Sequence, residues 1–225
     1  MPFNRHSNLF VCFSVALLAG LGLVMLASTS VWVESEDQHY FHLGRQALWL
    51  AAGVALAVAL RTFDYHRLRR VWPVLLLASC ALLALCYVPG IAIERNGEAR
   101  WIRLPLLGQF QPSEAAKPVL VITLAAWFAR YQAEARSLLK GFLVPAALLG
   151  GPLLLILFEK DMGTTLAVGA AGFAILYIAG TRLPYLLATA GAGACGFWHF
   201  VRHDPLRWKR IEIWLDIENP AHHID

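Results

Sequence analysis

Charge is what this sequence has least of. Only 15% of its 225 residues are Asp, Glu, Lys or Arg, against 58% apolar ones. A soluble domain carries about a quarter charged residues, so this composition points away from a water-facing globule. Cysteine is sparse too. Cys12, Cys80, Cys86 and Cys195 all lie in apolar runs and none forms a C-x-x-C pair. That argues against a zinc ribbon or a disulfide framework and leaves core packing as their role. No tract joins clustered Lys and Arg to exposed aromatics, so nucleic acid is not an expected partner. The net charge of +4 and the pI near 9.0 then read as the basic cytoplasmic loops of a membrane protein.

What the chain does have is long apolar runs. Seven are expected to span: Leu9 to Val33, Leu43 to Leu60, Val71 to Val88, Ser113 to Arg130, Phe142 to Phe158, Met162 to Gly180 and Pro184 to Val201. The first outruns the apolar core of a signal peptide, about 7–15 residues, and is read as a retained span. Connectors alternate in charge. Glu34 to His42 is acidic, while Arg61 to Arg70 and Arg130 to Lys140 are basic. Basic loops stay in the cytoplasm, which puts the N-terminus inside and the loop 91–112 outside. The fold class is therefore all-α, a polytopic membrane helix bundle forming a single integral domain over 1–225. The tail 202–225, with Trp208, Ile211, Trp214 and Leu215 at helical spacing, is expected to lie amphipathically at the outer interface. It stops at Asp225 in mid-loop, and the chain reads as the front part of something longer.

Polar residues concentrate at two places along these runs. The first is Arg95 to Lys117, where charge, glycine, proline and tryptophan crowd beside a span. Arg100 and Arg103 are guanidinium forks suited to phosphate, and Trp101 suits the headgroup level. Ser113 is expected to cap the fourth helix, with Glu114 in its first turn and Lys117 on the same face. Two readings of Glu114 and Lys117 stay open: a capped helix with a snorkelling lysine, or a polar corner facing a cavity. The second place is Glu159-Lys160-Asp161, where Asp161 is expected as an N-cap and, more sharply, as the ion-pair partner of Lys117.

Two matches are refused. Gly191-Ala-Gly-Ala-Cys-Gly196 fits G-x-G-x-x-G by letter, but it lies inside a span rather than between a strand and a helix. His222-His223 has no third ligand at metal spacing, so no metal site is assigned.

Three ordered motifs, and a segment of the tail after them, resemble one family. Asn96-Gly-Glu-Ala-Arg-Trp-Ile102 is similar to a G-x-x-R-W-I segment, and Gln111-Pro-Ser-Glu-Ala-Ala-Lys117 to the Q-P-[SA]-E-x-x-K that follows it. Lys160-Asp161-Met162-Gly163-Thr164 resembles P-D-[LM]-G-T, departing at its first position. Arg210-Ile211, Trp214-Leu215-Asp216 and Asn219-Pro220 resemble the segment after the seventh span. The family is SEDS, the FtsW and RodA proteins of cell shape, elongation, division and sporulation. The resemblance implies a peptidoglycan glycosyltransferase that polymerises lipid II at the outer face of the bacterial cytoplasmic membrane. It implies a class B penicillin-binding protein as partner, within a division or elongation complex, with a divalent cation (Mg or Mn) as a candidate cofactor. The family's catalytic aspartate falls in a P-E-x-H-T-D-F-like motif after the seventh span, and no such motif occurs before Asp225. No catalytic residue is therefore expected in this chain. Arg100 and Arg103 are expected on the leaving group, with Trp101, Glu114, Lys117 and Asp161 shaping the cavity. A flippase for a lipid-linked precursor and a non-catalytic scaffold of the division complex are the rival functions.

Overall fold

The structure, a computed structural model, describes residues 5–33, 36–95, 98–104, 108–203, 208–209 and 213. Seven α-helices dominate it: α1 Arg5–Val33, α2 Glu36–Leu60, α3 Leu68–Leu85, α4 Pro112–Tyr131, α5 Val144–Phe158, α6 Met162–Ala179 and α7 Leu183–Arg202. Each coincides with one of the expected spans. At ~1.5 Å per residue, the 20 residues of α4 or α7 reach ~30 Å, the thickness of a hydrocarbon core. Five segments, within α1, α2, α3, α5 with its leading turn, and α6, are also apolar enough to cross a membrane by composition. The protein is a membrane helix bundle.

Three expectations need correcting. The acidic connector is mostly helix, because α2 begins at Glu36 rather than Leu43. The loop 91–112 contains an antiparallel three-stranded sheet, β1 Ala92–Arg95, β2 Glu98–Leu104 and β3 Gly108–Phe110, in that order. Folding this polar backbone into a sheet pairs amides that would otherwise stand open at the membrane edge. The cysteines do not all pack inside either: Cys86 is buried and Cys80 half-buried, but Cys12 and Cys195 are exposed. In a helix surrounded by lipid an exposed thiol meets hydrocarbon, so no core is needed to shelter it. Of the tail 202–225, all but a few residues lie outside the described set. Ile211, Trp214 and Leu215 are among those outside it.

Residues 1–64 and 65–225 form two separate compact units. In the first, α1 packs against α2, and Leu9, Phe10, Phe13, Leu18 and Met25 remain exposed, as a lipid-facing helix requires. In the second, α3 and α4 run antiparallel. Leu83 near the end of α3 meets Ala116 near the start of α4, with Ile156 of α5 completing a buried cluster. A second cluster, Leu124, Phe128, Ala135, Leu176 and Leu186, fills the other half of this unit. The bundle thus has two ends. At one, α3 and α5 finish while α4 and α6 begin; at the other, α3 begins and α4 and α6 finish.

Candidate functional site

The first of those ends gathers the charged residues. Asp161 is the N-cap of α6, and its Oδ1 accepts from the Thr164 amide at 3.0 Å. Its Oδ2 accepts from the Thr164 hydroxyl at 2.8 Å and from Gln111 Nε2 at 2.8 Å. Arg100 Nη1 stands 3.5 Å from Oδ1. The carboxylate is buried, 8% exposed against 31% for the arginine, so its charge is matched inside the protein rather than by water. One aspartate from the third motif thus binds an arginine from the first and a glutamine from the second.

Local sequence explains how Arg100 gets there. Strand β2 is anchored by Ile102, which is 2% exposed. Arg100, two residues earlier, reaches Asp161 from this strand, while Arg103 is exposed and Trp101 half-buried. The ladder also slips at Arg100. Ile93 pairs with Trp101 and Glu94 with Ala99, so Arg100 is the extra residue of a bulge. Bulges of this kind re-aim a side chain.

Lys117 does not pair with Asp161. Its Nζ binds Glu114 at 2.7 Å, three residues back on the same exposed face of α4. The near partner wins because an i,i+3 pair costs no chain closure, and Arg100 already occupies the aspartate. The expected Ser113 cap is replaced as well. Gln111 holds the N-cap position in extended conformation and Pro112 takes the first helical turn, its ring fixing the entry angle. Ser113 is fully buried and its Oγ has no hydrogen-bond partner. Lys117 sits at the rim of a cavity of about 210 Å³ between α4, α5 and α6, lined below it by Leu120, Leu124, Leu149, Val168 and Gly172. Among the described residues, the paired network is made by Arg100, Gln111, Glu114, Lys117 and Asp161, with Trp101 and Arg103 flanking Arg100 on β2.

Sequence reasoning passed over Glu159, treating it as connector. It is 4% exposed, and neither carboxylate oxygen has a hydrogen-bond partner. Burial, with Asp161 adding to it and Cys86 and Arg100 opposing, pushes its carboxyl up to about 7. The Cys86 thiol lies close by without reaching hydrogen-bond geometry. Burial, with Glu159 beside it, pushes that thiol up to about 12, so it stays protonated and is no nucleophile. The one available signal was position: Glu159 falls one turn beyond buried Ile156 on the same face of α5. Between the two acids, Lys160 has φ 62°, a left-handed turn that sends Glu159 inward and frees Asp161 to cap.

Among the described residues, no group of three or more His, Cys, Asp or Glu is placed to hold a metal ion. Asp161 already spends both oxygens on protein donors. Held this way, Asp161 does not fit as a ligand to Mg or Mn.

The whole arrangement has relatives. Residues 8–223 match the family model of the FtsW, RodA and SpoVE cell cycle proteins. The chain belongs to that family. It is similar to the probable peptidoglycan glycosyltransferases FtsW of Nitrosococcus halophilus, 33% identical over 93% of the chain and 54% of the relative, and of Halorhodospira halophila, 35% identical over 90% and 51%. Among solved structures it resembles a chain of a peptidoglycan synthase complex, with a TM-score of 0.65 and 30% identity over 89% of this chain and 60% of that one. A mutant of the rod shape determining protein RodA of Thermus thermophilus gives the same score and identity over 80% and 56%. The chain therefore spans about half the length of its FtsW relatives. Against the P-D-[LM]-G-T pattern of FtsW and RodA, the departure at Lys160 has a backbone consequence. A proline ring locks φ near ~−65° and cannot take the turn seen here.

Proposed function

We propose that this protein serves as a peptidoglycan glycosyltransferase of the FtsW/RodA type, acting on lipid II. The observation that carries the reading is the joint at Asp161: one carboxylate ties together all three motifs, and it does so at a single end of the bundle. Polymerising a lipid-linked disaccharide expels a pyrophosphate, so the site needs fixed cations where that negative charge develops. Arg100, held by Asp161, and Lys117, held by Glu114, are two cations at that end. Both are partly exposed, at 31% and 39%, and so remain open to an anionic ligand. The apolar cavity below Lys117 offers hydrocarbon walls to the start of a prenyl chain. No residue among 1–225 is assigned as the general base.

The basic connectors 61–70 and 130–140 support the reading that the site end faces outward from the cytoplasmic membrane, with the N-terminus inside. A class B penicillin-binding protein is the partner that such a polymerase works beside. The test is polymer formation from lipid II by the full-length protein with that partner. Arg100→Gln is expected to lower the rate about 100-fold, and Arg103→Gln by less than about threefold. Equal losses would remove the proposed role of Arg100. A protein that moves lipid II across vesicles without polymerising it would be a flippase, and one that only binds the partner would be a scaffold.

A further inference from the structure

The other end of the bundle holds a second polar cavity, made of different residues. It measures about 460 Å³ and is lined by His66, Arg69, Arg70, Trp72, Ala126 and Arg130. No carboxylate takes part in the lining. Arg69 Nη2 donates to the carbonyl of Ala129 at 3.2 Å, covering an acceptor in the last turn of α4. Arg130 rests over the Tyr131 ring, 5.5 Å from its centroid. Arg70 makes no hydrogen bond or ion pair with any described residue. Three guanidinium groups around one cavity, with no acid among them, repel one another until an anion enters.

The surroundings say which anion. Trp72 and Trp127 meet edge to face with centroids 6.4 Å apart, at the level where the apolar part of α3 begins. Tryptophan at such a boundary marks headgroup height. Below Arg70, at one and two turns along the same face of α3, come Val74 and Leu77, 66% and 70% exposed. A cationic cavity above an uncovered apolar stripe matches a molecule with a phosphate at one end and hydrocarbon at the other. Forked guanidinium groups suit a phosphodiester in particular.

We propose that this cavity, between the start of α3 and the end of α4, binds the phosphodiester headgroup of an anionic membrane lipid on the face opposite Arg100 and Asp161. The site is independent of the reaction assigned to the other end. A free phosphate shares the headgroup chemistry but would gain nothing from Val74 and Leu77.

The test titrates the purified chain in neutral detergent with phosphatidylglycerol, phosphatidylcholine or inorganic phosphate, and counts bound lipid by native mass spectrometry. Phosphatidylglycerol is expected to bind at least about tenfold more tightly than phosphatidylcholine, and millimolar phosphate is expected not to displace it. The double variant Arg70→Gln/Arg130→Gln is expected to lose that preference. Arg136→Gln, an exposed arginine in the connector after α4 and outside the cavity, is expected to keep it. Equal losses in the two variants would mean diffuse surface charge and overturn the proposal. Competition by inorganic phosphate would also overturn it, in favour of a soluble anion. Should the double variant fold poorly, the wild-type chain still decides: its preference for phosphatidylglycerol must weaken as salt rises, and a salt-independent preference refutes the site.

Discussion

The two ends of the 65–225 bundle solve the same problem in opposite ways. At the Asp161 end, side chains bind side chains: Arg100 and Gln111 to Asp161, Lys117 to Glu114. At the far end, side chains mostly bind the backbone. Arg69 reaches Ala129 O, Gln132 reaches Ala179 O, Trp127 reaches Lys140 O and Thr181 reaches Gly141 O. Each end mixes helix starts with helix finishes, but at the first the start of α6 is capped by an acid, Asp161, while at the second the finishes of α4 and α6 take donors from Arg69 and Gln132. Donors that serve carbonyls leave positive charge facing outward. Caps that serve amides leave buried acids that must recruit cations of their own. Paired charge is thus buried around Asp161 at one end, whereas at the other the Lys140–Glu134 pair is exposed and Arg69 and Arg130 rest on a carbonyl and a ring.

The comparison can be broken at either end. Asp161→Ala should do the most damage, since it removes a helix cap and the buried carboxylate that Arg100 and Gln111 bind. A cost of about 3 kcal/mol in denaturant unfolding is expected, and a cost below about 1 would mean the site end does not depend on its charge. At the far end the sensitive position is Gly141, where an added Cβ would sit 2.1 Å from the Ala135 carbonyl oxygen. Gly141→Ala is expected to cost about 2 kcal/mol in the same assay, and a neutral result would deny the tight backbone packing there.

Double-mutant cycles sharpen the pairing itself. Arg100 with Asp161 should couple by about 1–2 kcal/mol, whereas Lys117 with Asp161 should stay within about 0.5. A larger coupling for the lysine would reverse the assignment. Acid titration gives a smaller effect of definite sign. Glu159 holds its proton up to about 7 in the fold, while an unfolded glutamate carboxyl releases it near its ordinary 4.5. The folded state thus binds the extra proton between those values, so stability is full below pH ~4.5 and falls as pH rises through ~7. The melting temperature should drop by a few degrees across that window, and Glu159→Gln should flatten the curve. Least affected is Ser113→Ala: its buried hydroxyl has no partner, so removing it should be neutral or stabilise by less than about 1 kcal/mol.

The helices were legible because a span leaves a long record. Runs such as Leu9–Thr29 and Met162–Ala179 hold enough apolar residues that no alternative competes. Gly180 ends α6 in a left-handed cap, which also fixed that boundary. Strands of three to seven residues in a charged segment leave no such record, which is why the sheet in 91–112 did not show. Of the site, residue identities were legible and their pairing was not. Arg100 and Asp161 lie 61 positions apart, and nothing local in either tells which cation the aspartate takes. Glu159 escaped notice because charge at the end of a span reads as connector, and only packing shows it turned inward.

The bulge in β2 has a mechanical implication. Arg100 stands opposite no residue of β1, so its direction is set by the bulge and by Asp161 rather than by a cross-strand neighbour. Deleting a single residue between Glu98 and Ile102 would restore an even ladder and swing the guanidinium away from Asp161.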